Sequence, residues 1–162
     1  MMAPRIGIFV DGANIDTPAR QASIRINYVR FYTYLAGTRT VILANYYDSK
    51  TSHLGKKAFY GDVRKAGFNV VLGPEVRHGK QKEIDVQIAV DMVSGAYENR
   101  FDIAVLGSGD GDMAPTVRKL VSMKKEVEVA SFDDRSGSQF AWSLKSSATR
   151  VRDLTYDIKK II

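Results

Sequence analysis

Apolar and polar positions alternate along the chain in two rhythms. Short runs rich in β-branched and aromatic residues occur at Arg5 to Val10, Thr40 to Tyr47, Phe68 to Leu72, Phe101 to Leu106 and Val127 to Ala130. Each has the length and composition of a strand. Between them, apolar residues recur at helical spacing. Asn27 to Leu35 carries Tyr28, Phe31, Tyr32 and Leu35 and stops at Gly37. Leu54 to Ala66 reads as a helix closed by Gly67, where a glycine C-cap is expected. Glu83 to Asn99 places Ile84, Ile88, Met92 and Ala96 on one face. Met113 to Met123 forms another helix, with Pro115 in its first turn, where a missing N–H is tolerated. Residues 73 to 82, "GPEVRHGKQK", form a polar, basic loop. Phe140 to Leu144 reads as a short helix, and Thr149 to Leu154 is the candidate for a further strand.

Strands that are apolar throughout and alternate with helices imply a parallel sheet covered on both faces. The expected fold is therefore α/β, a three-layer sandwich with a mainly parallel central sheet and right-handed crossovers. A strand order of 3-2-1-4-5 puts strands one and four side by side at the point where the order reverses. Functional groups gather there, at the carboxyl ends of the strands. The length of 162 residues fits one domain over 1–162.

Three segments deliver acids to that edge. "IFVDGANI" brings Asp11 and Asn14 from the end of strand one. "KQKEIDVQIAVDM" brings Asp85 in the first turn of the long helix. "LGSGDGDMAP" brings Asp110 and Asp112 from the end of strand four. Carboxylates a few ångströms apart repel one another, and some must hold a proton unless a cation neutralises them. Hard oxygen donors suit Mg²⁺ or Mn²⁺. In this reading Gly107, Gly109 and Gly111 permit a sharp turn out of the strand, and Ser108 hydrogen-bonds a carboxylate. The alternative for Asp112 is a cap on the following helix. Asp91, six residues beyond Asp85, reads as a solvated or partner-facing charge, and Asp133 and Asp134 as a surface turn. A phosphate-cradling loop is disfavoured: "GSGDGD" is G-x-G-x-G, and its carboxylates would repel a pyrophosphate.

Composition narrows the chemistry. The chain has no cysteine and only two histidines, His53 and His78, which excludes disulfides and thiolate chemistry and offers little to zinc or copper. No apolar run approaches the ~20 residues of a membrane span, and the N-terminus enters a strand without the apolar segment of a signal peptide. A cytoplasmic setting is the expectation. The formal net charge of +6 makes a polyanion a plausible partner. Tyr46, Tyr47, Phe59, Tyr60 and Trp142 are candidates for stacking bases or closing a homodimer, with core packing as the commoner role for such residues.

"IGIFVDGANI", "KQKEIDVQIAVDM" and "DIAVLGSGDGDMAPTVRKL", in that order and spacing, resemble the NYN domain in its LabA-like branch, within the PIN-like nuclease superfamily. The likeness spans roughly residues 5 to 155. It implies a PIN-like sandwich and a metal-dependent ribonuclease giving 5′-phosphate and 3′-hydroxyl products. Carried onto this chain, the acids that hold metal are Asp11, Asp85, Asp110 and Asp112, and the family's lysine is Lys82. Asn14 joins the catalytic set by positioning water or phosphate. Ser108, Lys82, Arg77, Lys80 and Arg118, with His78, are expected to contact a single-stranded RNA backbone. The basic loop at 77 to 82 and "DDRSGS" after strand five depart from the family pattern. Two rival functions remain at this stage. One is an RNA- or protein-binding regulatory module with little turnover. The other is a metal-dependent phosphatase, disfavoured because "DGA" lacks a second aspartate two residues after Asp11.

Overall fold

A computed structural model of the chain describes residues 2–49, 55–73, 82–134 and 140–162. Six parallel strands form one sheet: β1 (Arg5–Asp11), β2 (Thr40–Ser49), β3 (Asn69–Gly73), β4 (Ile103–Gly107), β5 (Glu126–Ser131) and β6 (Arg150–Asp153), in the order β3-β2-β1-β4-β5-β6. The helices are α1 (Gly12–Gln21), α2 (Tyr28–Ala36), α3 (Lys57–Ala66), α4 (Lys82–Tyr97), α5 (Ala114–Ser122) and α6 (Trp142–Ser147). The expected order of five strands holds, and the candidate sixth strand joins β5 at the edge.

The pleat of β1 shows why the sheet must be covered twice. Ile6, Ile8 and Val10 face one core with Ile15 and Ala19 of α1, Phe31 and Leu35 of α2, and Tyr60 and Val63 of α3. Phe9 faces the other, with Ile84, Ile88 and Met92 of α4, Val117 and Leu120 of α5, and Leu144 of α6. Successive side chains of a strand point to opposite faces, so both rows of a uniformly apolar strand need helices over them. Tyr46, Tyr47 and Tyr60 are core residues, and Phe59 packs against the first core. Trp142 alone of the five aromatic candidates stands in solvent, 78% exposed.

Four local expectations need correction. Helix α1 is absent from the sequence reading because its apolar signal is thin: only Gly12, Ile15 and Ala19 are buried, and Pro18 lies inside it. Strand β2 runs two residues further than its apolar run, to Ser49, which carries Asp48 into the sheet. The short helix near residue 140 is displaced to Trp142–Ser147. The helix expected from Leu54 begins at Lys57, and residues 50–54 lie outside the described set.

The glycines after β4 also work differently from expectation. Among the described residues the positive-φ glycines are Gly37, Gly55 and Gly67, so Gly107 and Gly111 do not supply a left-handed turn. They permit close approach. A Cβ on Gly107 would stand 3.2 Å from Cγ2 of Val10 on β1, and one on Gly111 would stand 3.0 Å from Oγ of Ser143 on α6.

Candidate functional site

Strand β1 ends at Asp11, whose register partner on β2 is Tyr47, and Val10 pairs with Gly107 of β4. Asp11 therefore sits where strand order reverses, between the ends of β2 and β4. It is 7% exposed. Its Oδ1 accepts the Asn14 backbone N–H at 3.2 Å, capping α1. The Asn14 side chain in turn accepts the Gly109 N–H at 2.8 Å. Asn14 thus ties the β1–α1 junction to the turn after β4.

The turn is held from within. The Asp110 N–H donates to Ser108 Oγ at 3.2 Å, and the Asp112 N–H donates to Asp110 Oδ1 at 2.9 Å. Two expectations change here. Ser108 is fully buried and its Oγ accepts a backbone N–H, which places it out of reach of solvent and of an RNA backbone. The capping residue is Asp110, which opens the 3-10 turn Gly111–Met113, whereas Asp112 is exposed.

Asp85, in the first turn of α4, borders the same small hollow as Asp11. Burial first, then the charges of Asp85 and Asp110, push the Asp11 carboxyl up to about 7, while the Asn14 N–H pulls it down. Burial also raises Asp85, and Asp110 and Asp112 add like charge to it. Like charge from Asp110 reaches both Asp11 and Asp85, and that pair holds protons more tightly than ordinary aspartates.

A hollow of about 10 Å³, close to one water-sized sphere, is lined by Asp11, Ala13, Asp48, Ser49, Ile84 and Asp85. Among the described residues no three His, Cys, Asp or Glu side chains stand ready to grip an ion together. The donor set nevertheless suits a hard divalent cation. All its atoms are oxygen, one or two carboxylates are enough for Mg²⁺, and the crowding of Asp11, Asp85 and Asp110 is what an added positive charge relieves.

Asp48 is the acid that the sequence reading missed. It is 3% exposed and spent on internal partners: Lys56 Nζ at 2.9 Å, the Tyr60 hydroxyl at 2.6 Å and the Ser49 N–H at 2.9 Å. The available signal was an aspartate directly after an apolar strand that neighbours β1. Asp91 is half-buried and accepts from the Tyr47 hydroxyl at 2.8 Å and from Gln87 at 2.9 Å. Asp133 pairs with Lys145. Arg118 Nη1 lies 3.4 Å from Oγ of Ser147, the last residue of α6. Arg77, His78, Lys80 and the side chain of Lys82 lie outside the described residues.

The family profile of the NYN domain matches residues 5–155. A crystal structure of a protein of unknown function from Vibrio parahaemolyticus has the same fold, with a TM-score of 0.80 and 25% identity, covering 94% of this chain and 93% of that one. No curated protein matches the sequence significantly. No helix among the described residues is long and apolar enough to cross a membrane.

Proposed function

The chain belongs to the NYN domain family, a PIN-like nuclease domain, and from that premise we propose that it hydrolyses phosphodiester bonds of single-stranded RNA with Mg²⁺ or Mn²⁺ as cofactor. The family is generally one of ribonucleases. The observation that carries the reading is the meeting of Asp11, from the end of β1, and Asp85, from the first turn of α4, at one hollow on the carboxyl edge of the sheet, with Asp110 adding like charge to both. Asp11 and Asp85 would hold the ion, Asp110 would complete its surroundings, and Asp112 would act at the solvent side. When bound, the ion supplies Lewis-acid stabilisation of the phosphate charge.

The chain's own groups do the rest. Asn14 holds the turn after β4 against α1, which fixes Asp110 relative to Asp11. Asp48, neutralised by Lys56, closes the hollow without adding unpaired charge. In the reaction a water oxygen bonds to phosphorus and the bond to the 3′ oxygen breaks. The departing 3′ oxygen ends protonated, leaving a 5′-phosphate and a 3′-hydroxyl. A dispersed net positive charge of +6 draws the RNA in, so binding weakens as salt rises.

The second reading, a binding module with little turnover, draws on the absence of a ready three-acid group among the described residues. One assay separates the two. Wild type with Mn²⁺ and a single-stranded RNA is expected to cleave, and Asp11→Asn and Asp110→Asn to lose at least ~100-fold, since even groups that merely support metal ligands cost 10–100-fold. Cleavage unaffected by both substitutions refutes the catalytic assignment. Binding of RNA without cleavage by wild type selects the module.

A further inference from the structure

A second opening, far larger than the acid hollow, lies on the face of the sheet covered by α1, α2 and α3. It encloses about 730 Å³, inside the roughly 300–1,000 Å³ range of small-ligand sites. We propose that it is a nucleotide-binding site, taking the base against its aromatic wall and the phosphate at its basic rim.

Three features of the lining support that chemistry together. The wall is apolar and aromatic: Tyr28 and Phe59 meet edge to face with centroids 5.4 Å apart, and Ile24 and Ile26 flank them. A wall of this kind shelters the apolar body of a base from water. The rim is basic. Arg20, Arg25, Lys56 and Lys65 stand against two carboxylates, Asp16 and Asp62. Arg20, Arg25 and Lys65 are exposed, so they are free to meet an anion. Finally, the wall carries an acceptor. Asp16 receives the hydroxyls of Tyr28 and Tyr46, one on each oxygen, and each oxygen keeps a further lone pair for the amine edge of a base. An apolar anion such as a fatty acid would gain nothing from that carboxylate, whereas a nucleotide uses all three features.

The cavity and the acid hollow share a wall. Lys56 lines the first and Asp48 the second, and the two are joined by the 2.9 Å ion pair. A nucleotide seated here is either free or one residue of a strand that continues toward the acids. The shared chemistry is the nucleotide, and the sources are told apart below.

The test uses the full chain in EDTA, so that it does not depend on metal or on cleavage. On adding 5′-AMP or 5′-UMP, amide NMR signals from Asp16 to Val29 and from Lys56 to Lys65 are expected to shift. The double variant Arg20→Glu/Arg25→Glu, altered at two exposed positions, is expected to bind about tenfold more weakly or worse, since it removes two cations that would hydrogen-bond the phosphate and puts two like charges in their place. Shifts confined to the acid edge, unchanged affinity in the double variant, or shifts that track self-association instead of nucleotide would each overturn the proposal. A short single-stranded RNA then identifies the source. Weakened RNA binding by the double variant places a strand residue in the cavity. Loss of mononucleotide binding alone makes it a site for a free nucleotide.

Discussion

Two buried carboxylate sites in this protein are treated in opposite ways. Glu128, in the middle of β5 and 5% exposed, is surrounded by arginines. Arg39 donates to both of its oxygens, Arg152 Nη1 stands 3.2 Å away and Arg150 Nη1 3.8 Å. Arg152 is itself held by the carbonyls of Leu35 and Tyr34 and stacks 4.1 Å from the Tyr34 ring. Asp11, as deeply buried, accepts one backbone N–H and faces two further acids among the described residues. Away from the strands' carboxyl ends, then, the fold neutralises buried charge from within. At the carboxyl edge the two cases lie side by side: Asp48, at the end of β2, is paired with Lys56, whereas Asp11, at the end of β1, stands among like charges of the described residues.

The largest test of that contrast is Glu128→Gln. Removing this carboxylate strands the buried guanidinium of Arg152, and breaking a buried pair from one side costs about 3–5 kcal/mol. A lower urea midpoint with unchanged slope is expected, and an unchanged midpoint would show the arginines to be adequately solvated. Asp11→Asn should behave in the opposite sense. Asparagine still caps α1 and removes one of the crowded charges, so the metal-free variant should be no less stable than wild type. A clear loss of stability would mean that Asp11 is structurally neutralised after all.

Next in size is the effect of the cation itself. At a hundred times its dissociation constant, Mn²⁺ should stabilise wild type by about 2.7 kcal/mol, a rise of a few degrees in thermal midpoint. Asp11→Asn should show little of it. Equal stabilisation of both would place the ion elsewhere.

The smallest effect belongs to an exposed pair that serves as a baseline. Hydrogen bonds from the Arg5 side chain, then from its backbone, hold Asp102 below its ordinary 3.8. A carboxyl lowered in the folded state stabilises the protein above that ordinary value, and the benefit is lost as pH falls through the lowered one. Replacing Asp102 by Asn should therefore flatten the acid limb of the stability profile slightly. Solvent screening keeps the change small, and added salt should erase it. A change comparable to that from Glu128→Gln would contradict the distinction between exposed and buried pairs.

Much of the acid edge was legible because it depends on local signals. Asp11, Asp85, Asp110 and Asp112 each follow a strand or open a helix, and topology alone sends those positions to one edge. Asp48 escaped because the last two residues of β2 are polar and join the sheet by pairing with β3, which an apolar run does not report. Helix α1 escaped for a related reason: it is held by one cap and a few contacts of Ile15 and Ala19. Its periodicity was too short to stand out.

By itself the sequence determined the order of elements, the strand order at the switch point and the acids that lie there, because hydrophobic period and glycine or proline punctuation act within a few residues. Only the tertiary structure decided which charges are neutralised. Arg39, Glu128 and Arg152 lie far apart in the chain and meet only when β5 and β6 pack under α2, as Lys56 meets Asp48 only when α3 crosses the end of β2. Electrostatic energy depends on distance and burial, and neither exists until the chain has folded.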